Sequence, residues 1–159
     1  MTDTTGHRRI RTRRAALTAA LALALGLGAT AQATAGGPRT IGGKPTDPIT
    51  RIADFYGAYI DAQHAPDGGR LATELRKHYI DASYLKKLKA WEDSHHADGV
   101  LRAQNVPVAW RVTDNGTADY TEAGITLTWG DGKTTKLVVD MTRGSKKIFH
   151  IGTKGVEAG

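Results

Sequence analysis

The sequence predicts an α+β fold, with about three N-terminal helices packed on a curved four-stranded antiparallel sheet. Apolar residues recur at helical spacing between Asp47 and Trp91. After Asp98-Gly99 the period changes to two and holds as far as Ile151. The alternating runs are joined by short turns containing Gly, Asn and Asp, which suit hairpin connections. One block of helices followed by one block of strands is the α+β pattern rather than the alternating α/β one.

Asp47-Pro48 opens the first helix, Asp47 as an N-cap accepting backbone N–H bonds and Pro48 in the first turn. Ile49, Ile52, Phe55, Tyr56, Tyr59 and Ile60 then define one apolar face. His64-Ala65-Pro66-Asp67-Gly68-Gly69 ends it. A second helix places Leu71, Leu75, His78 and Tyr79 on a shared face. A third is capped by Asp81 or Ser83 and turns Tyr84, Leu85, Leu88 and Trp91 one way, with Lys86, Lys87 and Lys89 elsewhere.

The first strand follows from Val106, Val108, Trp110 and Val112 alternating with Ala109, Arg111 and Thr113. Asn115-Gly116 is a hairpin signal. The second run, Ala118 to Trp129, carries Ile125, Leu127 and Trp129 on one face, and Gly124 is expected to mark a bulge within it. Gly130-Asp131-Gly132-Lys133 turns the chain into Thr135, Leu137, Val139 and Met141. Arg143-Gly144-Ser145-Lys146 turns it again into a last strand from Lys147 to Ile151.

Residues 1–35 read as an export signal. A basic stretch ends at Arg13-Arg14, an uncharged Ala/Leu-rich run extends from Ala15 to Ala29, and Ala33-Thr34-Ala35 supplies a cleavage site. That run is shorter than the roughly 20 residues a membrane-spanning helix needs. Residues 36–46 are a Gly/Pro-rich arm, 47–152 the domain and 153–159 a tail. The expected location is therefore secreted, by the general secretory or the twin-arginine route, with no stable membrane insertion after cleavage.

The formal charge of +6 falls on this reading, because five of 22 basic residues and one of 16 acidic ones lie in the leader. Residues 36–159 carry 17 Lys+Arg against 15 Asp+Glu, a net +2. So small an excess gives little long-range attraction for polyanions. There is no cysteine, which excludes thiol catalysis and thiolate metal sites.

The Phe55-Tyr56-x-x-Tyr59 helix, the stretch Asp98-Gly99-Val100-Leu101-Arg102-Ala103-Gln104-Asn105-Val106-Pro107 and the closing Lys147-Ile148-Phe149-His150-Ile151 together carry a resemblance. They resemble the exported bacterial domains of unknown function of the DUF3828 group, in the NTF2-like, cone-shaped α+β superfamily. The sequence departs from that pattern at Gly99, where a proline is common, and at Arg102, where a cysteine is often seen. The resemblance implies a cone whose concave sheet face and covering helices enclose a pocket. It also implies that an enzyme of this architecture, an isomerase or dehydratase, would hold Asp, His or Tyr inside the cone.

Phe55, Tyr59, Trp110 and Trp129 are the candidate ligand-binding residues of such a pocket. His150, Asp140 and Tyr120 are the weak catalytic candidates, with His78 and Tyr79 behind them; a neutral His150 is able to act as a base near pH 7. Strict alternation sets His150 opposite Phe149 and Ile151. His95, His96 and Asp98 are the nearest approach to a metal-ligand cluster, although adjacent helical histidines diverge by about 100° and no metal or other cofactor is expected.

Gly-x-Ser-x-Gly, His-Glu-x-x-His and phosphate-binding Gly loops are absent. The expected function is a non-catalytic domain binding a small apolar ligand or an extracellular protein partner through its cone or sheet face. Two alternatives are a lyase or isomerase with a His/Asp base, and an envelope-associated protein whose lysine faces bind acidic polymers. Nucleic acid is not an expected partner, and the chain is a monomer or homodimer.

Overall fold

The structure is a computed structural model that describes residues 41–116 and 119–156. Residues 1–35, expected to be an export signal, and the first part of the expected arm, residues 36–40, lie outside the described residues. Three helices, α1 (Pro48–His64), α2 (Gly68–Tyr79) and α3 (Ala82–His95), precede four strands, β1 (Ala109–Asp114), β2 (Thr121–Thr128), β3 (Thr134–Met141) and β4 (Ile148–Gly152). The fold is thus α+β, with an antiparallel meander in the order β1-β2-β3-β4.

The helix starts follow from local chemistry. Asp47 accepts hydrogen bonds from the Thr50 backbone N–H at 2.7 Å and from its hydroxyl at 2.8 Å. Those bonds hold the Asp47 carboxyl below its ordinary pKa. Asp81 caps α3 by accepting from the Ser83 N–H at 2.8 Å. The buried face of α2 is rotated from the one expected. Leu75 and Tyr79 turn inward as expected, but Leu71 and His78 are exposed and Ala72 is buried with the first two. Side-chain spacing alone does not reveal that rotation.

One face of the sheet is buried under the helices through Ala123, Ile125, Leu127, Leu137, Val139, Met141, Ile148 and Ile151. Gly124 is not a bulge: it pairs in register with Thr113 on one side and Val138 on the other. Its missing side chain instead makes room for the Asn115 amide, whose Oδ1 would lie 3.3 Å from a Cβ there. The bulge falls in β4. Asp140 pairs with His150 and Met141 with Ile148, which leaves Phe149 as the extra residue. Two consecutive residues, Phe149 and His150, thereby stay off the core while Ile148 and Ile151 both enter it.

Candidate functional site

Two of the four aromatic residues expected to line an interior pocket fill that space instead. Phe55 and Tyr59 are buried and lie 5.4 Å apart between ring centroids, and Tyr56 meets Phe55 edge-on at the same distance. Large rings at helical spacing on α1 interlock when the sheet closes over them, so neither Phe55 nor Tyr59 is open to a ligand. Trp129 is half-buried at the end of β2 and donates its indole N–H to the Thr135 hydroxyl at 2.9 Å. Only Trp110 of the four is exposed, at 39%. It lies over Gly57 in an apolar surface groove of about 640 Å³ between α1 and β1, lined also by Ile49, Ala53 and Val112.

The metal candidates separate. Asp98 is consumed by the fold: Oδ1 accepts from the Val100 and Leu101 N–H groups at 2.8 Å, and Oδ2 from the Tyr59 hydroxyl at 2.6 Å and Gln63 at 3.1 Å. Burial and this carboxylate together raise the Tyr59 hydroxyl above the usual phenol range. Arg76, ion-paired with Glu92, stands 3.7 Å from Asp98. His95 stacks on Trp91 at 4.1 Å, and His96 is the exposed left-handed C-cap of α3. Among the described residues no three His, Cys, Asp or Glu side chains converge as a metal site.

His150, Asp140 and Tyr120 do come together, but on the sheet face away from the helices. Alternation along β3 puts Asp140 on the face away from the helices. His150 Nδ1 lies 2.9 Å from Asp140 Oδ2. The tail covers this carboxylate: the Val156 N–H donates to Oδ2 at 3.1 Å, and the Tyr120 hydroxyl donates to the Val156 carbonyl at 3.1 Å. Asp140 is 0% exposed as a result, whereas the His150 side chain keeps 25% of its surface. Partial burial and the charges of Asp140 and Glu122 raise the Tyr120 hydroxyl.

His150 opens onto a cleft of about 650 Å³ between α3 and the end of β4. Tyr84, Lys87 and Trp91, spaced i, i+3 and i+7, supply the α3 wall. Arg102 supplies the floor, and His150 to Gly155 the opposite wall, Lys154 included. At Gly152 a Cβ would come within 2.9 Å of His150 Cε1 and Nε2, so a side chain there would displace the imidazole. Arg102 holds a left-handed backbone, φ 52°, which is unusual for a residue with a side chain. Its guanidinium stands 4.2 Å over the Trp91 ring and donates through Nη2 to the Ile151 carbonyl and to the Tyr84 hydroxyl. Arg102 Nε is buried without a partner. No carboxylate lines the cleft among the described residues.

The lysine faces expected from sequence are largely engaged within the chain. Lys89 pairs with Asp93 at 2.8 Å, Lys133 with Asp131 at 2.8 Å, and Lys146 and Lys147 donate to the Thr46 and His78 carbonyls. Lys87 alone of that set reaches the cleft. Arg102 and Lys154 were not anticipated. The one sequence signal for Arg102 was its place in the stretch that resembles the DUF3828 group, where a cysteine is often seen.

No family model matches this chain, and no curated protein matches it. Among solved structures, a protein of unknown function from Bacteroides thetaiotaomicron VPI-5482 matches with a TM-score of 0.54 and 19% identity, over 65% of this chain and 87% of the other. At that identity the likeness is one of fold: the two chains share the α+β architecture.

Proposed function

We propose that this chain is an exported, non-catalytic domain of the NTF2-like type that binds an anionic ligand in the cleft between α3 and β4. One observation carries the reading: Lys87, Arg102, His150 and Lys154 line a single cleft with no carboxylate among its described residues. Arg102 adds to it, since its charge is met by an aromatic ring and a neutral carbonyl rather than by a counter-ion. The leader supports export. A non-catalytic role is favoured because the Tyr120 hydroxyl is turned to the tail and Asp140 is enclosed. That leaves His150 without the tyrosine proton donor that the lyase reading needs.

With a net charge near +2, binding depends on the local field and weakens as salt rises. The test is elution from an immobilised sulfated polysaccharide in a salt gradient. Lys87 and Lys154 are exposed, so the double variant K87E/K154E folds normally and is expected to elute at clearly lower salt. The double variant K133E/K136E, with the same change in net charge, is expected to elute near the unaltered protein. Equal shifts for both pairs would mean that overall charge, not the cleft, governs retention.

A further inference from the structure

We infer that the free edge of β1 takes up an extended peptide of another protein as an antiparallel fifth strand, one with aliphatic side chains on one face and lysine or arginine beside them. The edge carries unmet backbone groups. The Asn115 N–H donates to the Glu122 carbonyl at 3.0 Å, and in this register the odd-numbered residues of β1 are the ones that face β2. Trp110, Val112 and Asp114 therefore turn their N–H and C=O groups outward, where no described strand pairs with them. Such a row is a template for strand addition. Antiparallel pairing is the arrangement used between all four strands of this sheet.

The groove beside the edge supplies the side-chain preference. In antiparallel addition, the residues opposite Trp110 and Val112 put their side chains on the same face as those two, toward α1. There the groove of about 640 Å³ offers Ile49, Ala53 and Ala58 as an apolar wall. Asp54 is the only charged side chain lining it among the described residues. It is exposed, and within those residues it has no hydrogen bond or ion pair. Asp114 adds a second exposed carboxylate at the end of the edge. Arg111, the cation of β1, is odd-numbered and projects from the opposite face. A second copy of this chain meeting edge to edge would bring the same carboxylates from both sides with no cation between them, and like charges so placed repel. A basic, aliphatic strand matches both the apolar wall and the charge.

The experiment is fluorescence anisotropy of labelled peptides with the folded protein, alongside sedimentation velocity of the protein alone. The peptide Lys-Val-Thr-Val-Thr-Val-Lys is expected to bind roughly three- to fivefold more tightly than its counterpart with glutamate in place of lysine, the scale of an exposed ion pair. N-methylation of its valines removes the N–H groups aimed at β1 and is expected to weaken binding at least about tenfold. D54K, a change at an exposed position, is expected to erase the preference for lysine and to keep the effect of N-methylation. Equal binding of the N-methylated peptide would overturn strand addition, and an unchanged lysine preference in D54K would overturn the groove as the site. Binding of no peptide would overturn the proposal, and so would a dimer in sedimentation that the peptide does not dissociate, which would put a second copy on the edge.

Discussion

Tyr84 shows how one hydroxyl can finish a sheet. It accepts from the Ile151 N–H at 2.7 Å and donates to the Ile151 carbonyl at 2.8 Å, so a single phenol satisfies both outward-facing backbone groups of an edge residue. Replacement by phenylalanine keeps the ring packing and strips both bonds. Y84F is expected to lose about 1–3 kcal/mol, the cost of leaving the buried Ile151 N–H unpaired while Arg102 still donates to the carbonyl, read as a lower urea midpoint at unchanged slope. Asp98 illustrates the same point from the other direction. A carboxylate that looked like a spare ligand is saturated by four donors, and none of them is adjacent to it in sequence except through the turn it closes.

Among the elements, α1 depends on its first turn. The Asp47 cap satisfies an N–H that the helix itself leaves unpaired, and D47A is expected to cost about 1 kcal/mol at neutral pH. Its pKa is lowered in the folded state, so its contribution is complete above the unfolded value near 3.8 and disappears as the pH falls through the folded one. Urea denaturation of the natural protein and D47A at pH 7 and pH 3 checks this: the gap between them should narrow at the lower pH. D47N, which caps without ionising, should keep its advantage over D47A at both. The β4 bulge belongs to this scale too. Without the bulge, the pairing of His150 with Asp140 would set Phe149 opposite Met141, and its ring would enter the core in place of Ile148.

At the scale of the molecule, the two edges of the sheet are treated differently. The β4 edge is closed by Tyr84, by Arg102 and by the Asp81 N–H, which donates to the Ile148 carbonyl at 2.8 Å. The β1 edge has a strand on one side only, and its neighbourhood keeps Trp110 39% and Val108 64% exposed. Amides of β2 and β3 are paired on both sides and sit over the core. They should exchange with solvent deuterium most slowly, whereas the outward-facing Trp110, Val112 and Asp114 amides should exchange fastest in the sheet. Protection of those three equal to that of β2 would show that something covers this edge in solution.

The order of elements, their periods, both helix caps and the meander were legible in the residues, because each follows from local rules: a carboxylate before a proline, a stripe every three to four residues, an alternation between turns. Which side chains would be spent on one another was not legible. Phe55 and Tyr59 were readable as apolar and aromatic, yet whether rings enclose a space or fill it depends on how closely the sheet approaches α1. His150 and Asp140 were each readable as a weak candidate base, but alternation along β3 and the pairing of His150 with Asp140 set both on the sheet face away from the helices. The cleft was least legible of all. It joins positions 84–91, 102 and 150–155, which no pattern in the chain relates and which meet only because α3 runs along the edge of the last strand.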